Sequence, residues 1–242
     1  MTLLLYDIPT RDGSGCWSPN PWKTRLALNY KGIPYKTEWL EYPEITPKLS
    51  SLGIPPRPPG GIPNVPYTIP TVRLPSGALV MDSANIAPAL EAAYPSHPSL
   101  HLDSPLWARI EALVPSIIYP LAGLYLPRVP EVLLGPASAA DYHAKREGEF
   151  GMHLSRLAAG TEVEGAWAQA GTGFRELAGL LRASGGPFLM GAMPSYADFV
   201  VVSMLHAFRL VDEGLWARAV GQDASIKALY EGCAPWLARA TY

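Results

Sequence analysis

Hydrophobic and polar positions divide the chain into two stretches of different rhythm. LLLYDI (3–8) is a short apolar run that stops at Pro9 and predicts a first strand. After the turn-rich RDGSGCWSPNP, Trp22, Leu26 and Tyr30 recur at helical spacing, and Gly32 supplies a stop. YKTEWLEY (35–42) has the aromatic and β-branched content of a strand. TIPTVRL and ALVMD predict two further strands, joined by a hairpin turn at Pro75-Ser76-Gly77. SANIAPALEAAY (83–94) predicts a helix whose first turns are disturbed by Pro88. Two strands joined through a helix favour a parallel pair with a right-handed crossover, and the hairpin adds antiparallel strands.

From Ser104 onward only helical patterns remain. Ser104 and Pro105 suit the N-cap and first helical position of a helix predicted over 104–126. Further helices are predicted at 138–159, 165–184, 195–211 and 224–240. The loop PSHPSLHLDSP (95–105) is therefore the expected boundary between an α/β domain over 1–96 and an all-α domain over 104–242.

Composition and motif content adjust this picture in six places. Nine prolines lie between Pro43 and Pro70, which predicts a long surface loop in place of continuous helix or central strand. A hydrophobic share of 48%, a charged share of 17% and a net charge of −2 suit a globular protein and exclude a polyanion-binding surface, so no nucleic-acid partner is expected. No segment approaches the roughly 18–20 apolar residues of a membrane span, and the apolar start MTLLLYDIP lacks the basic residues of a secretory signal. Two cysteines, Cys16 and Cys233, make no disulfide framework and point to a reducing, cytoplasmic setting. Metal is not expected, because His97 and His101 sit in a proline-broken loop without a third ligand. Gly60-Gly61 lies among prolines with no helix following, so it predicts no phosphate loop.

Four features in order along the chain resemble the glutathione transferase superfamily. These are a small polar residue just before the first helix, Thr68-Ile69-Pro70-Thr71, Asp82-Ser83, and Pro194-Ser195-Tyr196-Ala197-Asp198-Phe199. Within the superfamily, SPNPWKTRLALNYKGIPY is most similar to fungal etherase-like transferases and the related bacterial β-etherases. The resemblance implies a thioredoxin-like N-terminal domain plus an all-helical C-terminal domain, glutathione as co-substrate, and a homodimer. It also implies a cis peptide at Ile69-Pro70 that presents the Ile69 backbone to the cysteinyl unit, and an Asp82-Ser83 pair that meets the γ-glutamyl end.

The chemistry expected of these residues is thiolate formation. A free thiol has a pKa near 8.5, and bringing it to about 6.5 requires roughly 2.7 kcal/mol of preferential stabilisation. A helix N-terminus supplies about 0.3–1 kcal/mol, and a hydrogen bond to a charged acceptor about 1.5–3 kcal/mol. Ser18, just ahead of Pro19-Asn20-Pro21, is placed to offer both, with Asn20 as a second donor; as an alternative, Ser18 is only an N-cap. Cys16 is the rival, as a nucleophile forming a mixed disulfide with glutathione. Lys48 is a candidate for the glycyl carboxylate, or simply a solvated lysine. Trp17, Tyr119 and Tyr125 are candidates for the wall of a hydrophobic substrate pocket between the domains. Ser195 and Asp198 read as a structural capping box. Transfer of glutathione to a hydrophobic or aromatic electrophile, with β-aryl ether cleavage in the etherase-like version, is the expected function. Passive binding of aromatic or terpenoid compounds, and Cys16-dependent thiol transfer, are the alternatives.

Overall fold

The computed structural model describes residues 2–60 and 65–240. Its first half is a four-stranded sheet in the order β2-β1-β3-β4. Strands β1 (Leu3–Asp7) and β2 (Tyr35–Trp39) run parallel, joined through helix α1 (Pro19–Lys31). Strand β3 (Thr71–Arg73) is antiparallel to β1, and β4 (Leu79–Met81) closes the hairpin with Thr71 opposite Met81. Gly32 ends α1 in the left-handed conformation at φ 66°, a position that suits a residue without a side chain.

The proline-rich stretch is not all loop. Helix α2 (Tyr42–Ser51) begins inside it, with Pro43 in the first turn, where a missing N–H costs nothing. A capping box between Glu41 and Glu44 secures its start, and Ile45 and Leu49 are buried on one face, which offsets the bond lost at Pro47. Residues 61–64 of this stretch, and with them Gly61, lie outside the described residues. Helix α3 (Ser83–Ala93) follows β4 and carries Pro88 within it.

The second half is helical, with more breaks than the pattern predicts. The helix expected over 104–126 is two pieces, α4 (Pro105–Ile118) and α5 (Ala122–Tyr125), and a further short helix, α6 (Arg128–Val132), follows them. Pro120 and Pro127 fall in the two gaps and cannot continue a hydrogen-bond ladder, and the chain bends by 63° after Ile118. Gly151, at φ 66°, splits 138–159 into α7 (Pro136–Phe150) and α8 (Leu154–Ala159). Then come α9 (Val163–Ser184), α10 (Tyr196–Val211), α11 (Glu213–Val220), α12 (Ala224–Gly232) and α13 (Ala234–Leu237). Helix α11 is not expected from the pattern. Among the described residues no single helix is long and apolar enough to cross a membrane.

One hydrophobic core runs through both halves, from Leu5, Trp22 and Leu26 to Ile110, Phe174 and Phe199. Helix α10 packs directly on α1 and carries the central apolar face. Its capping box is formed: the Ser195 N–H donates to Asp198 Oδ2 at 2.8 Å, and the Ser195 hydroxyl accepts from the Asp198 N–H. Asp198 Oδ1 also accepts from the Leu189 N–H at 2.7 Å, so this buried carboxylate ties the preceding loop to the helix. The chain end closes over α1, where Asn29 donates to the carbonyls of Trp236 and Arg239, and Arg25 to that of Ala240.

Candidate functional site

Three open cavities of about 730, 700 and 500 Å³ lie side by side along the N-terminus of α1. Asn20 borders all three, and Ser18 borders the first two. The first lies between the domains and is lined mainly by apolar side chains, including Trp17, Val114, Ile118, Tyr125 and Phe208. The second runs past Ile69 and Tyr67 toward α2, and the third holds Asp82, Ser83 and Pro70.

Ser18 occupies the N-cap of α1 with extended backbone, at φ −79° and ψ 137°, yet its side chain makes no capping hydrogen bond. The reason is local. The first three helical positions are Pro19, Asn20 and Pro21, so of the two N–H groups an N-cap hydroxyl would serve, at the second and third positions, only that of Asn20 exists. The hydroxyl and the Asn20 amide thus stay available beside the cavities, and Lys23 donates to Asn20 Oδ1 at 3.1 Å to fix that side chain.

Cys16 faces the other way. It is 2% exposed and packs in the core, and its Sγ donates to the Ser18 carbonyl at 3.6 Å. Burial and the nearby Asp7 carboxylate push its thiol well above the ordinary range, so the thiolate that exchange chemistry requires is disfavoured. Asp7 itself is fully buried and pairs with Arg25 at 2.5 Å; burial raises its pKa, and Arg25 opposes the rise. This pair and the bond from Trp22 Nε1 to the Cys16 carbonyl at 2.8 Å fix the loop that carries Trp17 and Ser18.

Ile69-Pro70 is cis. The Pro70 carbonyl accepts from the Asp82 N–H at 3.0 Å, which joins the two candidate peptide-binding segments. Asp82 has φ 82° and ψ 131°, a conformation costing a non-glycine residue about 1–3 kcal/mol. It caps α3 by accepting from the Ala84 N–H at 3.2 Å, and its other carboxylate oxygen lies 4.0 Å from Arg57. Ser83 is buried in the first turn of α3, and its carbonyl accepts from the Tyr196 hydroxyl at 2.9 Å. The base of the third cavity is thereby tied to α10 of the helical domain.

The structure brings Trp17, Ser18, Asn20, Ile69, Pro70, Asp82, Ser83 and Tyr125 to the cavities. It leaves out two candidates. Tyr119 is 50% exposed and lines none of the three, because the helix ends there ahead of Pro120 and turns the ring outward. Lys48 pairs with Glu38 and lies over the Tyr6 ring, away from the cavities. Residues without a role expected from sequence also line them, among them Lys23, Arg57, Tyr142 and Arg146. Tyr142 and Arg146 stand four apart on α7, a spacing visible in the sequence, but only the packing of α7 over α2 brings them to the site. His97 Nδ1 donates to the Lys31 carbonyl at 2.7 Å, and no group of metal-ligating side chains occurs among the described residues.

Comparison with known proteins agrees with this arrangement. Residues 17–93 match the glutathione S-transferase N-terminal domain, and residues 108–236 match the C-terminal domain. The chain is 34% identical to the glutathione S-transferase-like protein ustS of Aspergillus flavus, over 93% of this chain and 86% of that protein. It is similar to the crystal structure of glutathione transferase GSTFuA3 from Phanerochaete chrysosporium, with a TM-score of 0.86 at 30% identity, covering 98% of this chain and 97% of the other. It also resembles a Ceriporiopsis subvermispora glutathione S-transferase crystallised with glutathione, with a TM-score of 0.85 at 31% identity, covering 97% and 98%. With both halves of its sequence matched and full-length neighbours sharing its architecture, this chain belongs to the glutathione S-transferase family.

Proposed function

We propose that Ser18 holds bound glutathione as its thiolate, and that the thiolate attacks a hydrophobic aromatic electrophile seated in the first cavity. The observation that carries this reading is the uncommitted Ser18 hydroxyl at the junction of the first two cavities. In it, the γ-glutamyl end lies against Asp82 and Ser83, the cysteinyl backbone pairs with Ile69, and the sulfur reaches Ser18 and the Asn20 amide. With Pro19 and Pro21 lacking N–H groups, the helix terminus contributes little beyond Asn20. The serine hydroxyl then supplies most of the roughly 2.7 kcal/mol needed to lower the thiol pKa by two units.

The apolar first cavity supports an aromatic co-substrate, and β-aryl ethers are the proposed class. There the thiolate forms a C–S bond at the β carbon while the C–O bond breaks, and the phenolate leaves with the bonding pair. Ultraviolet thiolate absorbance of bound glutathione in wild type, Ser18→Ala and Cys16→Ser tests the activation step. Loss of the signal in Ser18→Ala alone supports it, whereas loss in Cys16→Ser alone would transfer the role to Cys16. A turnover screen with a model β-aryl ether, a haloaromatic and a mixed disulfide tests the substrate class; binding of aromatic ligands without turnover of any of these would favour a carrier.

A further inference from the structure

Two buried donors in the first cavity have no partner. Trp17 Nε1 and the Tyr142 O–H find no acceptor, although the residues are 4% and 1% exposed; the Arg146 guanidinium that faces the Tyr142 oxygen can only donate to it. Buried polar groups are ordinarily satisfied, and an orphan of this kind calls for a missing ligand or an unusual role. The two rings lie edge to face with centroids 6.1 Å apart, and the Arg146 guanidinium carbon is 5.1 Å from the Tyr142 ring. Trp17, Tyr142 and Arg146 all line the same cavity. Its walls are otherwise mostly aliphatic and aromatic, so nothing in them accounts for this group of donors.

We propose that Trp17, Tyr142 and Arg146 form a donor subsite that receives a carboxylate on the aromatic co-substrate. This names the co-substrate's chemistry within the function proposed above and rests on that reading only for placing the co-substrate in this cavity. The donor inventory decides the class. Indole N–H is a donor only, guanidinium is a donor only, and burial pushes the Tyr142 hydroxyl up in pKa, so it stays protonated and able to donate. A carboxylate offers about four acceptor positions on two oxygens, enough for all three donors. A phenol brings a proton of its own, and the nearby acceptor Glu149 is already engaged by Arg146. The Glu149 pairing also keeps Arg146 from being an isolated buried charge, and its guanidinium has further N–H groups for a ligand.

The test is calorimetric titration of the glutathione-loaded protein with 2-naphthoate, 2-naphthol and 2-methylnaphthalene, which share one apolar body. Wild type is expected to bind naphthoate about tenfold or more tightly than methylnaphthalene. Tyr142→Phe and Arg146→Met are each expected to erase most of that preference while leaving methylnaphthalene affinity within about twofold. Tyr142→Phe should also melt no lower than wild type, since it removes an unsatisfied buried hydroxyl. Equal wild-type affinity for naphthoate and methylnaphthalene would overturn the proposal, as would preferential binding of naphthol. A loss of glutathione affinity in Arg146→Met with the naphthoate preference intact would do so too, by assigning Arg146 to the peptide. Ser18→Ala is expected to keep the preference, so failure of thiolate activation and failure of the subsite give different results.

Discussion

Removing the Ser18 hydroxyl separates a catalytic serine from a structural one, because the two roles predict opposite pairs of results. Replacing an ordinary N-cap serine by alanine costs about 0.5–2 kcal/mol of stability. Ser18 makes no capping bond, and Pro21 removes one of the two amides it would serve, so Ser18→Ala is expected to change stability by less than about 0.5 kcal/mol. For a chain of this size that is a melting shift of about 1–2 °C at most. The thiolate of bound glutathione, in contrast, loses a charge-assisted hydrogen bond of about 1.5–3 kcal/mol, which raises the bound thiol pKa by about 1–2 units. In the proposed mechanism the bound thiol pKa lies below the free value in wild type, so the thiolate persists to lower pH, and in the variant the pH–rate profile should move to higher pH by the same 1–2 units or so. Ser18→Thr, which keeps a hydroxyl, should recover part of the shift. Thiolate absorbance against pH, alongside thermal melting, reads both quantities. An unchanged thiol pKa together with a melting drop of about 3 °C or more would refute the mechanism and leave Ser18 as a cap.

Three other perturbations follow from the geometry. Asp82→Gly should relax the strained backbone at φ 82° and so retain near-native melting, while glutathione binds about 10-fold to 150-fold more weakly for want of a carboxylate beside the γ-glutamyl ammonium; unchanged glutathione affinity would remove Asp82 from the site. Asp198→Ala should lose about 3 kcal/mol or more of stability in denaturant melts, since it breaks the capping box and the Leu189 contact within the core, and a stable but inactive variant would contradict a structural role. His206 is held neutral by burial beneath Trp22 and beside Tyr230, with its pKa lowered to about 4 from an ordinary 6.5. A depressed folded pKa contributes stability that is full above pH 6.5 and lost as pH falls toward 4, so wild type should lose up to about 3 kcal/mol across that window and His206→Gln should lose less.

The local parts of the fold were legible in sequence, and the parts set by distant packing were not. Strands β1 to β4, the helix from Pro19 to Gly32 and the Ser195–Asp198 capping box depend on patterns within a few residues, and each stands where those patterns put it. The segment 104–126 went wrong because apolar periodicity continues across Pro120, although the backbone does not, and Tyr119 left the site with that break. Helix α2 is not legible from proline content alone, because the position of a proline decides its effect: Pro43 falls where a helix needs no N–H. Tyr142 and Arg146 had no local signature, since an aromatic and a basic residue four apart occur on many solvated helices. What gives them a role is α7 lying across α2, with the Tyr42 N–H donating to Ser138 Oγ at 2.9 Å.

The same distinction explains why, in the proposed function, peptide recognition and thiol activation sit on one domain while selectivity lies between two. Ser18, Ile69 and Asp82 are fixed by short-range devices: a doubly proline-started helix, a cis peptide and a strained cap joined to it through the Pro70 carbonyl. Their geometry needs the helical domain only as a backstop, through the Tyr196 bond to the Ser83 carbonyl and the packing of α10 on α1. The first cavity draws Trp17 from the N-terminal domain, Tyr125 from α5, Tyr142 and Arg146 from α7, and Phe208 from α10. Substitutions on α5 or α10 can therefore reshape the first cavity without touching Ser18, Ile69 or Asp82, whereas Tyr142 and Arg146 of α7 also line the second cavity beside Ser18 and Ile69. In this chain that freedom has left two donors buried without acceptors, a destabilising arrangement unless a ligand supplies the oxygen they lack.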